Sequence, residues 1–276
     1  MNILKIIAIL IVFIGCKEPS IKRVPATVED TFVSNVNTLQ PESEEQSKTN
    51  HISKTLNSHL KKYTISVDNQ KQFKNWEYGE ATIFLVTQPF KRKNKEEIQI
   101  GKVEQNGSFY FNLPETVSYD RTISSFFTCE MNKTVTKAEY KSPNTGLVSA
   151  YLSVRKNENE IGLLSLATSK QQEYNNSPFG KYHGAIGYRL KLWFADEITG
   201  IYSICNRSIE ATNNAETIKE ITITDTYNLS FNKGWNFVKT ETIDNQMVGE
   251  VSYYKLRNYT VESEIPTNAK WIFKEL

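Results

Sequence analysis

The chain has 276 residues, 33 of them basic and 31 acidic, with 39% hydrophobic and 12% aromatic residues. That length allows one large or two small domains with a sizeable core. Charges of both signs are scattered along it, so there is no basic stripe for nucleic acid and no acidic tail.

Residues 1–15 have the parts of a secretory signal: Lys5 in a short polar start, an apolar run from Ile6 to Ile14, then Gly15 before Cys16. Nine apolar residues are too few to cross a hydrocarbon core, which takes about 20. Phe13-Ile14-Gly15-Cys16 resembles a bacterial lipobox. The resemblance implies cleavage before Cys16, acylation of that residue (palmitate among the acyl groups) and attachment to a membrane through the lipid. Lys17 stands where inner-membrane retention signals carry Asp, so the expected address is the outer membrane, on its periplasmic or its surface face.

Residues 16–62 read as a flexible polar tether. Pro19, Pro25 and Pro41 sit among Ser, Thr, Glu, Lys and Asn, and so little apolar surface cannot offset the entropy of ordering. The 46 residues from Lys17 to Lys62 have a root-mean-square reach of about 40 Å as a flexible coil, enough to hold a folded body clear of a membrane. Ile52, Leu56 and Leu60 fall at helical spacing, and His51 and His59 share that face without the further ligands a metal site needs.

From Tyr63 onward the signals are those of strands. Ala81 to Val86 is apolar on both faces, as in a doubly covered strand. Asn106-Gly107 between Ile98–Glu104 and Ser108–Leu113 is a strong hairpin cue. Val148, Ala150, Leu152 and Val154 alternate with Ser149, Tyr151, Ser153 and Arg155, as in a strand buried on one face, and Lys156-Asn157-Glu158-Asn159 turns the chain into Ile161–Ala167. The polar stretch Lys170–Gly180 reads as a loop or seam. Beyond it Tyr188, Leu190, Leu192 and Phe194 oppose Arg189, Lys191 and Trp193. Ile201–Cys205 is followed by a polar loop over 206–217. Ile221, Ile223, Tyr227, Leu229 and Phe231 lead to Asn232-Lys233-Gly234, a turn answered by Trp235–Ile243. Val248–Leu256, Tyr259–Ser263 and Lys270–Lys274 are the last strands. Strands every 8 to 14 residues with turns between them predict an all-β, sandwich-like body. The expected organisation is two tandem or closely packed β-subdomains, residues 63–169 and 181–276.

Asn75-Trp76, Gly79 and Ala81-Thr82-Ile83, then Asn106-Gly107-Ser108-Phe109 and Leu113-Pro114, resemble the start of a group of uncharacterised bacterial exported lipoproteins. The hairpin portion is similar to transthyretin-like or carboxypeptidase-regulatory-like β-domains. Tyr227-Asn228-Leu229, Lys233-Gly234-Trp235-Asn236 and Ala269-Lys270-Trp271-Ile272-Phe273 resemble the second half of the same group. These motifs are turns and core aromatics, so the resemblance implies a fold and no catalytic residues.

Chemistry is sparse. The body has one histidine, His183, and no Gly-x-Ser-x-Gly elbow, the pattern that seats a nucleophilic serine. Zinc needs three or four N or S ligands; calcium needs oxygens, for which Asp196, Glu197, Asp225 and Asp244 are the candidates near turns, without an Asp-x-Asp-x-Asp run. No metal or other cofactor is expected. With Cys16 assigned to lipid, Cys129 and Cys205 remain as a candidate disulfide in an oxidising compartment, or as two buried thiols. Of Trp76, Trp193, Trp235 and Trp271, the second falls on the Arg189–Lys191 face and is the candidate for stacking on a ligand such as a sugar. The expected function is a lipid-anchored, non-enzymatic binding or accessory module of the cell envelope, with a glycan or envelope protein as partner. The alternative is an envelope hydrolase acting on glycan or peptide through carboxylates.

Overall fold

The computed structural model describes residues 63–127, 134–135, 138–174, 183–213 and 217–276. The expected all-β architecture is what forms. A single 14-stranded mixed sheet runs in the order β4-β3-β2-β7-β8-β9-β12-β13-β11-β10-β5. The strands that matter here are β2 (Ala81–Thr87), β3 (Glu97–Val103), β4 (Phe109–Phe111), β7 (Leu147–Lys156), β8 (Asn159–Ala167) and β9 (Gly187–Ala195). After them come β10 (Thr199–Asn213), β11 (Thr217–Phe231), β12 (Gly234–Val248), β13 (Val251–Glu262) and β14 (Lys270–Glu275). Of the shorter strands, β1 (Tyr63–Ile65) adds to β14, and both β5 (Thr134–Val135) and β6 (Glu139–Lys141) add to β10. The stretch read as a seam begins with one short helix, α1 (Lys170–Tyr174). Among the described residues no helix is long and apolar enough to cross a membrane.

Local sequence explains most of the elements. The Asn106-Gly107 turn joins β3 to β4: Gly107 takes the left-handed φ of 82°, and the Asn106 carboxamide oxygen accepts from the Ser108 N–H at 3.0 Å. Asn157 and Glu158 both have positive φ, the two-residue turn that matches strand twist, and they fold β8 back on β7.

Three expectations are corrected. Residues 206–213 of the expected polar loop are strand instead, because β10 continues to Asn213 and pairs with β11 along its whole length. Ile209 and Ala211 alternate there with exposed Ser208 and Glu210 and pack towards Ile221, Ile223 and Tyr254. Asn232-Lys233-Gly234 does not close a hairpin. β13 lies between β11 and β12, parallel to the first and antiparallel to the second. In place of ladder bonds the buried Asn236 carboxamide accepts from Asn232 N–H (2.9 Å) and donates to the carbonyls of Asn232 (2.8 Å) and Gly234 (2.9 Å). Finally, β7 is buried on both faces, Leu147, Ser149 and Ser153 included.

Buried side chains gather in clusters that mix both stretches of sequence, and the two largest share β9 as a wall. Ile83, Leu152, Leu166, Leu190, Leu192 and Trp271 belong to the first. Leu147, Trp193, Ala195, Leu229, Phe231 and Val238 belong to the second. β9 gives Leu190, Leu192 and Phe194 to one and Trp193 and Ala195 to the other. It also pairs with strands from both halves of the sequence, and all described residues fall in one compact unit.

Such a shared ladder predicts one cooperative unfolding transition. Tryptophan fluorescence and far-ultraviolet circular dichroism are expected to melt together. Leu166→Ala, at a fully buried site, is expected to cost about 2–5 kcal/mol and to lower both probes equally. Two separated transitions would restore two independent domains.

Candidate functional site

The strand registers place one unusual feature at the centre of the body. β7 pairs with β9 through Leu147–Ala150 and with β8 through Leu152–Lys156, on the same edge. β8 pairs with β7 up to Leu164 and with β9 at Leu166 and Ala167. β9 pairs with β8 at Arg189 and Leu190 and with β7 from Leu192 to Ala195. All three pairings are antiparallel. Three straight strands cannot be mutually antiparallel, so each must bend, entering along one two-stranded arm and leaving along the next. One residue of each strand is left without a register partner on that edge: Tyr151, Ser165 and Lys191.

A cavity of about 400 Å³ opens at this junction, and these three residues line it. It is lined by Arg189 and Lys191 from one face of β9 and by Leu190 and Leu192 from the other, which an intact ladder would separate. Leu152, Leu164, Phe237 and Trp271 add apolar wall. α1 brings Glu173 into the lining. The volume lies in the range of small-molecule sites, about 300–1,000 Å³.

The charges here differ from those elsewhere in the interior. Arg207 pairs with the buried Asp225 carboxylate at 3.1 Å and bonds the Tyr254 hydroxyl. Arg257 stacks 3.6 Å from the Tyr254 ring centroid and donates to Thr242 Oγ1 (3.3 Å) and the His183 carbonyl (3.0 Å). By contrast, Arg189 and Lys191 make no hydrogen bond or ion pair among the described residues. Lys191 Nζ stands 5.8 Å from the centroid of the Trp193 ring. Both cations keep part of their surface open, and both line the cavity. Burial, with the Arg189 guanidinium beside it, pushes the Lys191 ammonium down to about 8. Burial and then the like charge of Arg257 lower Arg189, with Glu173 opposing. Burial pushes the Glu173 carboxyl up against the pull of Arg189, the Ser165 hydroxyl and Lys274. A second orphan is the indole N–H of Trp271, which is buried without an acceptor on a ring that lines the same cavity.

The residues singled out from sequence are dispersed. Cys16, His51, His59 and Cys129 lie outside the described residues. Cys205 is buried and disulfide-bonded. Trp193 is not available for stacking: it is 8% exposed, with Phe126 and Phe127 packed on it at 5.1 and 5.2 Å between centroids. Trp76 and Trp271 are core residues, and the half-buried Trp235 donates to the Pro114 carbonyl at 2.7 Å. His183 is half-buried beside Tyr253, and burial and Arg257 lower its imidazole. Asp196 accepts from the Tyr119 hydroxyl, Glu197 pairs with Lys233 at 2.7 Å and Asp244 with Lys255 at 3.1 Å. Among the described residues no three His, Cys, Asp or Glu gather as a metal site. Arg189, Lys191 and Glu173 were the residues to find. The first two were visible as the polar face of β9, but a polar face reads as solvated until a second core is known to cover it.

No protein-family model, curated protein or solved structure matches the chain.

Because the folded-state pKa of Lys191 lies below its ordinary 10.5, the unfolded chain binds more protons between about pH 8 and 10, and stability rises with pH across that window. Lys191→Met removes the buried charge at similar volume. Chemical denaturation is expected to show the variant about 1–3 kcal/mol more stable at pH 7, with the gain shrinking towards pH 10. A variant less stable at pH 7 would mean that the ammonium is paired.

Proposed function

We propose that this chain is a lipid-anchored, non-enzymatic binding module of the cell envelope, and that it takes a small ligand in the cavity where β7, β8 and β9 meet. The observation that carries this is the pair of cations, Arg189 and Lys191, lining a ligand-sized cavity without a hydrogen-bonded acid among the described residues. Interior charges are ordinarily paired because desolvating a lone charge is expensive, so an unpaired pair facing a void is a standing demand for a partner. The volume suits a small molecule and not a glycan chain or a protein segment.

The envelope address rests on other observations. The lipobox-like Phe13-Ile14-Gly15-Cys16 supports acylation and an outer-membrane anchor. The disulfide at Cys205 supports an oxidising compartment; with Cys16 acylated, Cys129 is the partner left in the sequence. Expressed in a Gram-negative host, the full chain is expected in the membrane fraction, and Cys16→Ser is expected to release it to the soluble fraction. A Cys16→Ser chain that still sediments with membranes would overturn the lipid anchor.

For the binding reading, the full chain is screened by thermal shift against small anionic, neutral and cationic organic molecules. At least one class is expected to raise the melting temperature, since a ligand at a hundredfold excess over its Kd stabilises the fold by about 2.7 kcal/mol. A cooperative melt that no class moves would overturn it.

A further inference from the structure

The cavity has two chemically distinct halves, and together they specify a ligand. Arg189 and Lys191 are two residues apart on one face of β9, about 7 Å along a strand, close enough for two long side chains to converge on one head group. The Glu173 carboxyl offsets part of that positive charge and is itself drawn to Arg189 and Lys274. Because burial pushes the Glu173 carboxyl up towards its neutral form, that offset is partial and the site stays net positive, which suits an anionic head. The rest of the lining is aliphatic or aromatic: Leu152, Leu164, Leu190, Leu192 and Phe237, with Trp271 beside them. A purely polar ligand would leave that wall unused, and a purely apolar one would leave the cations without a partner. At about 30 Å³ per heavy atom, the volume a water takes in the liquid, the cavity holds roughly a dozen heavy atoms.

We propose that the cavity takes a short-chain amphiphile with an anionic head, a carboxylate being the simplest, seated between Arg189 and Lys191 with its tail against Leu152, Leu164, Leu190 and Phe237. This rests on the binding reading above and names its ligand class. The Arg189 guanidinium and Lys191 ammonium donate to the head group as charge-assisted hydrogen bonds. The Trp271 indole N–H is a further donor with no acceptor of its own. The groups facing Lys191 across the junction are Arg189 on its own strand, Glu173 on α1, Tyr151 on β7 and Glu160 at the exposed rim on β8. Behind Arg189 stand Arg257 and Tyr259 on β13. With Lys191 titrating near pH 8, an anion binds most tightly below that pH and loses one of its two cations above it.

The test uses octanoate, octanol and octylamine, three soluble probes with one tail and three heads, titrated calorimetrically into the full chain. Octanoate at pH 6.5 is expected to bind at least tenfold more tightly than octanol, with no binding of octylamine and with octanoate affinity falling several-fold by pH 9.5. Arg189→Met and Lys191→Met are each expected to weaken octanoate at least tenfold and to leave octanol unchanged or improved. Because the probe series on the unaltered chain decides the question alone, a variant that misfolds does not obscure it. Equal binding of octanol and octanoate, or preference for octylamine, overturns the anionic head while the binding module stands. Failure of all three octyl probes alongside a thermal shift from another class overturns the amphiphile and again leaves the module. No binding by any class overturns both.

Discussion

In a flat antiparallel sheet each strand edge serves one partner, and directions alternate down the order. β7, β8 and β9 break this arrangement because each is antiparallel to the other two. The only solution is three two-stranded arms meeting at a point, with each chain turning from one arm into the next. One residue per strand falls out of register there, and the backbone bends away from a centre it cannot fill. The cavity is therefore a consequence of topology before it is a consequence of side-chain size. The same junction makes β9 a wall between two cores, because its Leu190 and Leu192 meet the first while its Trp193 and Ala195 meet the second.

That position explains how charged residues come to lie inside. Strand alternation sends Arg189 and Lys191 to the same face as Trp193, and the curved sheet formed by β9, β12, β13, β11 and β10 covers that face. Where the covering strands carry acceptors, the interior charge is paired. Arg207 meets Asp225, and Arg257 meets Thr242, a carbonyl and the Tyr254 ring. These groups hold the parallel β11–β13 pair, at whose register Asp225 faces Arg257. Among the described residues no hydrogen-bonded acceptor reaches Arg189 or Lys191, and the Glu173 carboxyl in the same lining acts on Arg189 by charge alone.

How much of this could be read from the residues follows from the range of the forces involved. The Asn106-Gly107 and Asn157-Glu158 turns are local, set by backbone conformations that few residues adopt, and both were legible. The alternation of Val148, Ala150, Leu152 and Val154 marked a strand, but its burial on both faces depends on a second core that the sequence does not announce. The extension of β10 through residues 206–213 was hidden because its apolar members, Ile209 and Ala211, are sparse and small. Their burial comes from Tyr254 and Val248, far away in sequence. The insertion of β13 between β11 and β12 could not be read at all, since Gly234 takes its positive φ of 92° equally well in a hairpin and in a corner. The site was illegible for a related reason. Lys191 carries the same signature as any solvated strand lysine, and only the long-range junction takes away its water.

A void and an unpaired charge are each unfavourable, and folded proteins keep few of either. Here both occur at one place, together with an indole N–H that has no acceptor. Local rules are broken in this concentrated way mainly where function asks for it. The surroundings also show why the fault persists instead of closing up. Each of the three arms is a hydrogen-bonded ladder anchored by fully buried side chains such as Leu152, Leu166 and Ala150, and β2, β14 and β12 pair along the outer edges of β7, β8 and β9. Collapsing the cavity would require slipping at least one register, which turns every side chain of that strand to the opposite face. The walls are thus held by strand registers and not by any ligand, and the proposed ligand would meet a site that needs no prior ordering.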